Sequence, residues 1–328
     1  MNQLQSVLIT LPMPEPYLST LLQTLHPATV HLCQNNDAEG IKKALETADA
    51  AILNGDITDL IMTGEKLRWI HCDHSGLTRS ARPDVFRRGI AVTGSAGRSA
   101  PTLAEHAILF MLALTYDLHG LHELQKKHQW GGLPGYNDRR GLIGKTVGII
   151  GLGHTGKALA VRCKAFGMQV LGYRRRAEPV ECVDRLYARN QGDGFEPLLQ
   201  ESDYLVLTTQ LSDETYHMID AGALRKMKPT AYLINMCRGS VVDEPALIEA
   251  LNGGVIAGAG VDTTEVEPLP ADSPLWDAKN LMLTPHNTPT VPNRWERSCS
   301  IICENAARFR EGRALLNQIT PQDVYTKG

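Results

Sequence analysis

The sequence predicts an α/β protein built as two doubly wound lobes, and three observations carry that prediction. Residues 1 to about 99 alternate short β-branched runs with helical patterns. A second and stronger alternation opens near Gly144 with TVGIIGLG. Between the two lies TLAEHAILFMLALTYDLHGLHELQKKHQW, in which Leu103, Ala107, Met111 and Leu114 recur every three or four positions, the period of a helix. The length of 328 residues agrees, being enough for two domains at about 150 residues each.

In the first alternation SVLIT, ATVHLC, AAILN, LRWIHC and GIAVT read as strands, with helices over YLSTLLQTL and from about Ala38 to Thr47. The apolar segment that follows is expected to form one long helix linking the lobes. In the second alternation TVGII, MQVLGYRR, YLVLTT, AYLINM, AGAGVD and LMLTP read as strands, with a helix from Thr155 to Phe166 after the first. Beyond His286 the breaker-rich NTPTVPN precedes a helical pattern from about Trp295 to Glu311, too short to be a domain and expected to return to the first lobe. The expected division is therefore 1–99 with 297–328 in one lobe and 100–296 in the other, with the active site in the cleft between them.

Composition excludes several classes of function. With 33 Lys+Arg against 36 Asp+Glu the net charge is −3, and the longest like-charge block is Arg174 to Arg176, so no nucleic-acid face is indicated. The longest apolar stretch, Ala107 to Leu114, is under half the length of a membrane span, and the N-terminus lacks a basic start followed by an apolar block, so a cytoplasmic protein is expected. Seven scattered cysteines, at 33, 72, 163, 182, 237, 299 and 303, include no CxxC pair and read as buried thiols. No metal site is expected, although His71, Cys72 and His74 form a small cluster.

GLGHTG, comprising Gly151, Leu152, Gly153, His154, Thr155 and Gly156, follows an apolar strand and opens a helix, the setting a dinucleotide fingerprint requires. Glycines there permit a tight turn and close approach of the backbone to a pyrophosphate, and helix-start amides supply positive potential. A glycine-rich turn without a ligand is the alternative. An NAD site calls for Asp or Glu at the end of the second strand to bond the ribose hydroxyls, whereas this chain reads Tyr173, Arg174, Arg175, Arg176. Guanidinium groups there suit a 2′-phosphate, so NADP(H) is the preferred cofactor, with NAD(H) possible. A solvated basic turn, with Glu178 four residues on, is the competing explanation.

Three further strand ends carry polar residues: Asn235 to Gly239 with Arg238, Asp262 to Leu269 with Glu267, and Thr284 to Thr288 with His286. Ligands of such sheets bind at the carboxyl ends of strands. An Arg, a Glu and a His from successive ends could converge, the carboxylate orienting the imidazole and raising its pKa. Singly, each residue could equally be a surface turn or loop residue.

Taken together, these motifs resemble the D-isomer-specific 2-hydroxyacid dehydrogenase family over most of the chain. The resemblance runs through LRWIHCDHSGL, GIAVTGSAGRSAPTLAEH, GLIGKTVGIIGLGHTGKALA, INMCRGSVVDEPALIEAL, AGAGVD, EVEPLP, SPLW and LTPHNTP, and INMCRG, EVEPL and TPH in that order are specific to it. It implies two Rossmann-like lobes, a flavodoxin-like substrate lobe and a dinucleotide-binding lobe. It further implies that His286 is the acid protonating a 2-oxo oxygen, Glu267 its partner, and Arg238 the group binding carboxylate and carbonyl. Asp262 would hold the nicotinamide carboxamide, Thr209 and Cys237 would line the cofactor site, and His74, Ser75 and Gly76 would form the substrate loop. A small 2-oxo acid substrate and a homodimer formed through the long helix are likewise implied. The family also resembles corepressors that sense NAD(P)(H) without turnover, which is the alternative function.

The chain departs from the family pattern in three places. The family commonly has Arg where this helix reads Leu114 to Asp117, and a His-x-Pro where it reads Leu207 to Leu211. His71, Asp73 and His74 precede the substrate loop, and Trp130, Arg294 and Trp295 are further candidates for the site, with packing as their plain alternative.

Overall fold

A computed structural model describes residues 3–133, 135–139 and 141–327. The chain divides into two compact units, Met1–Ser99 with Thr290–Gly328, and Ala100–Pro289. Residues 290–296, expected in the second lobe, group with the first, where Val291 is buried and Arg294 faces Asp73.

The first unit holds a parallel sheet of β1 (Ser6–Ile9), β2 (Thr29–Leu32), β3 (Ala50–Leu53), β4 (Trp69–Cys72) and β5 (Ala91–Gly94), in the order β2-β1-β3-β4-β5. That is the flavodoxin-like order. β1, β3 and β4 are buried along their whole length, which is why they read as continuous apolar runs rather than alternating ones. The helix Arg294–Glu311 buries Ser298, Cys299, Ile302, Asn305, Ala306 and Phe309, a stripe at helical spacing, and packs along the helix Tyr17–Leu25. Phe309 stacks on Trp69 at 5.8 Å between ring centres.

The second unit holds seven parallel strands: β6 (Thr146–Ile150), β7 (Gln169–Arg174), β8 (Arg185–Ala188), β9 (Tyr204–Leu207), β10 (Tyr232–Asn235), β11 (Gly258–Val261) and β12 (Leu281–Leu283), in the order β12-β11-β10-β9-β6-β7-β8. Strand order reverses at β6 and β9, the switch point beside which such sheets bind ligands. β8 escapes the sequence pattern because this short edge strand is only partly buried and begins with Arg185. The single long helix expected from the sequence is two helices, Ala100–Tyr116 and Leu118–Lys126. Asp117 breaks it: its φ of 51° is left-handed, and its carboxylate accepts the Gly120 amide to start the second helix. Among the described residues no helix is long and apolar enough to cross a membrane, no group of His, Cys, Asp and Glu is arranged to hold a metal, and all seven cysteines are free thiols.

Candidate active site

The nucleotide loop is built by three glycines with three different tasks. Gly151 leaves β6 at φ 101°, and a Cβ there would lie 2.7 Å from the Thr208 carbonyl carbon and the Thr209 nitrogen, so only glycine fits. Gly156 sits so close to this turn that a Cβ would meet the Gly151 oxygen at 2.1 Å. Gly153, by contrast, has nothing within 4 Å. It is the N-cap of the 12-residue helix His154–Ala165, and no side chain caps that end. The amides at His154, Thr155 and Gly156 thus face an open cradle with positive potential, which fits a pyrophosphate. Thr208 Oγ1 donates to the Gly151 carbonyl at 2.6 Å, and the Gly151 amide donates to Tyr173 at 2.9 Å, fixing the loop against β9 and β7.

Arg174 ends β7, adjacent to this loop, with Arg175 and Arg176 exposed beyond it. Arg174 donates to the Glu178 carbonyl and carboxylate, both at 3.2 Å, so Glu178 pairs with the arginine rather than taking the place of a ribose-binding acid. Glu178 is 62% exposed, and an ion pair of that kind contributes at most about 1 kcal/mol, little enough for a bound phosphate to displace.

β10, β11 and β12 are adjacent, with Asn235 opposite Val261 and Val261 opposite Leu283. Arg238, Asp262, Glu267 and His286 therefore issue from the same edge of the sheet. Asn235 shapes the first loop by accepting from the Cys237 amide at 3.1 Å and donating to the Arg238 carbonyl at 3.0 Å. Gly239 abuts the second loop so tightly that a Cβ would fall 1.9 Å from the Thr264 carbonyl carbon. Glu267 accepts the Thr264 amide through Oε1 at 3.1 Å and bonds His286 Nδ1 through Oε2 at 2.9 Å. With one ring nitrogen held by a carboxylate, Nε2 is left to face a reacting atom. His286 has a φ of 50°, a left-handed conformation uncommon outside glycine. The Arg238 guanidinium is half-buried and donates to the Cys237 carbonyl at 2.6 Å. Cys237 is buried, and burial pushes its thiol up to about 11, so it is a chemically inert group there.

The profile described as "D-isomer specific 2-hydroxyacid dehydrogenase, NAD binding domain" matches residues 108–288. A glyoxylate reductase of Thermococcus litoralis is 36% identical over 273 residues, covering 82% of this chain and 81% of its own. A glyoxylate/hydroxypyruvate reductase B of Pectobacterium carotovorum is 34% identical over 85% of this chain and 88% of its own. A D-isomer specific 2-hydroxyacid dehydrogenase from Xanthobacter autotrophicus, solved with NADPH and MES, superposes with a TM-score of 0.81 at 26% identity, covering 97% and 98% of the two chains. The chain belongs to the D-isomer specific 2-hydroxyacid dehydrogenase family.

Within this dehydrogenase, Asp262 has more structural partners than its expected role suggests. It is buried, and accepts from Thr284 Oγ1 at 2.5 Å, Thr288 Oγ1 at 3.1 Å and the Asn287 amide at 3.3 Å. His106, which the sequence reading did not single out, bonds both threonines, at 2.8 Å to Thr288 and 3.2 Å to Thr284. Asp262 and His106 thus clamp the loop that carries His286. Only its place in the TLAEH run signalled His106, because a buried helical histidine reads as core.

In the first unit, His74, Ser75 and Gly76 follow β4. The His74 carbonyl accepts the Ser95 amide at 3.0 Å and its Nε2 lies 3.4 Å from Asp56, while Ser75 is exposed. His71 is fully buried between Thr93 Oγ1 at 3.0 Å and Ser95 Oγ at 3.1 Å, and burial lowers its pKa to about 4. It is a neutral packing residue rather than a substrate contact. Asp73, also buried, takes Ser95 and Ser298 on one oxygen and Arg98 on the other, tying the loop to the last helix. Trp130 is fully exposed.

Proposed function

We propose that the protein reduces a small 2-oxo acid to the D-2-hydroxy acid with NADPH preferred over NADH. The His286–Glu267 pair carries this reading, because reduction of a carbonyl needs a proton donor at its oxygen and the pair supplies an oriented one. When bound, the reduced nicotinamide supplies the hydride. The amides of His154, Thr155 and Gly156, with Gly151 and Gly153, hold its pyrophosphate, and Arg174, Arg175 and Arg176 hold a 2′-phosphate. Thr209, Cys237 and Asp262 line the nicotinamide end.

His286 gives up the Nε2 proton to the oxo oxygen while Glu267 keeps the imidazole aligned and stabilises its charge before transfer. Arg238 binds the carboxylate and the polarised carbonyl, where negative charge develops. Ser75 and Gly76 offer backbone amides to the substrate carboxylate, with His74 alongside. The glyoxylate and hydroxypyruvate reductases among the relatives support a short substrate. Replacing His286 by Asn tests the acid assignment. Turnover should fall by about a thousandfold or more while NADPH binding, followed by its fluorescence, survives. Unchanged turnover would remove His286 from the chemistry.

A homodimer is part of the same proposal. Leu109 and Val161 are each about half exposed on two helices that pack together, and Ile143, near Gly167, and Phe166 are exposed as well. This apolar face of the second unit suits a second copy of the chain. Val161→Glu with Ile143→Glu should convert a dimer to a monomer in light scattering, and a wild-type monomer would contradict the assignment.

A further inference from the structure

In the second unit, loop 262–269 offers two glutamates, two residues apart, to two different histidines. Glu267 meets His286 Nδ1 at 2.9 Å, and Glu265 meets His217 Nε2 through Oε1 at 2.7 Å. Both histidines hold a left-handed backbone, with a φ of 50° at His286 and 49° at His217, which is uncommon outside glycine. The His217–Glu265 pair is about three-quarters buried on both sides, and a charge-assisted bond in such a setting is stronger than a neutral one.

Polar contacts rather than apolar packing set how this loop sits. Val266, between the two glutamates, is 58% exposed. Bonds from the Thr264 amide to Glu267 at 3.1 Å and from Thr264 Oγ1 to the Val266 carbonyl at 2.8 Å shape the turn internally. Beyond Thr264, which Gly239 abuts, the loop is tied to its neighbours at Glu265. The Glu265 amide donates to Glu244 Oε2 at 3.1 Å, and its Oε1 accepts the Glu244 amide at 3.1 Å as well as His217. His217 is itself stitched to the segment after Arg238, its amide donating to the Ser240 carbonyl at 2.9 Å. Asp243 lies 4.0 Å from His217 Nδ1, and the Tyr216 ring stacks on the imidazole at 3.9 Å between centres. Burial raises the Glu244 carboxyl above its ordinary range, and the Glu265 charge adds to this against the bond from the Glu265 amide. Among the described residues no lysine or arginine pairs with Glu265, Glu244 or Asp243, so the imidazole is the basic group set among these carboxylates.

We propose that His217 is a positioning residue: by holding Glu265 it fixes the loop that aims Glu267 at His286. This rests on the reading of His286 as the proton donor. The effect of His217 passes along the two residues that separate Glu265 from Glu267. Without it the Glu265 and Glu244 carboxylates are left facing each other, and the turn swings away from His286. An imidazole parted from its carboxylate holds its proton less firmly and is less well aimed.

The test compares the wild type with His217→Leu, which removes the donor to Glu265, and His217→Gln, whose amide keeps a donor where Nε2 stood. With NADPH and the fastest 2-oxo acid, His217→Leu should lower kcat by about tenfold while KM for NADPH stays within about twofold. The pH above which kcat falls should move down by about half a unit or more, and His217→Gln should recover most of both effects. An unchanged kcat and pH profile in His217→Leu would overturn the proposal. So would a loss of kcat with an unshifted profile, which is what a loosened fold alone gives. NMR titration of the His286 imidazole, identified by its absence in His286→Asn, reads the same effect without turnover. A midpoint lowered in His217→Leu but not in His217→Gln, with no turnover of any 2-oxo acid by the wild type, would keep the positioning role and sink the reductase reading. Turnover by the wild type with the same midpoint in all three proteins would do the reverse.

Discussion

Acidification should destabilise the first unit through His71, by an amount the structure sets. The imidazole is fully buried and titrates at about 4 in the folded protein, against 6.5 for an unperturbed histidine. Between those values the unfolded chain binds a proton that the folded chain refuses, so stability is complete above the upper value and falls as pH drops through the window, levelling below the lower one. At 1.36 kcal/mol per pKa unit the whole window is worth about 3 kcal/mol, of which about 2 kcal/mol is lost by about pH 5. His71→Gln supplies the comparison, since an amide can still bond Thr93 and Ser95 but does not titrate. Urea unfolding of both proteins at about pH 7.5 and pH 5, followed by tryptophan fluorescence, cancels the acid sensitivity of every other group. The wild type should lose about 2 kcal/mol more than the variant on acidification. Parallel losses would refute the claim that His71 is held neutral by burial.

Three other perturbations have definite outcomes. Gly151→Ala forces a Cβ to within 2.7 Å of the Thr208–Thr209 backbone at a φ of 101°, so cofactor affinity should fall by about tenfold or more for NADPH and NADH alike, measured by fluorescence quenching. Arg174→Ala with Arg175→Ala should weaken NADPH far more than NADH, and equal losses would show that these arginines do not read a 2′-phosphate. Burial holds the Cys72 and Cys163 thiols up at about 12 and Cys237 at about 11, so all three should resist Ellman's reagent in the native protein and react only in urea.

The candidate site residues were legible because they sit at strand ends, where the apolar period stops and a polar residue stands out. Arg238, Glu267 and His286 could be named that way, and the sheet brings their strands side by side. The strands with every residue buried, such as β1 and β9, were also plain as apolar runs. Tertiary features were not visible. Nothing in the apolar period of the linking segment reveals that Asp117 turns left-handed and starts a new helix. His106 and His71 look alike in sequence, yet one clamps the loop that carries His286 through two threonines and the other is packed in the core of the first unit. Hydrogen-bond partners 22 to 182 residues away decide the difference.

The most direct test of the account is oxidation of NADPH and of NADH by the purified protein in the presence of glyoxylate, hydroxypyruvate, pyruvate and longer 2-oxo acids, followed by loss of the reduced nicotinamide absorbance. The account predicts steady turnover with at least one 2-oxo acid, faster at limiting NADPH than at limiting NADH, and formation of the D-hydroxy acid. Tight cofactor binding without turnover on any of these acids would contradict it.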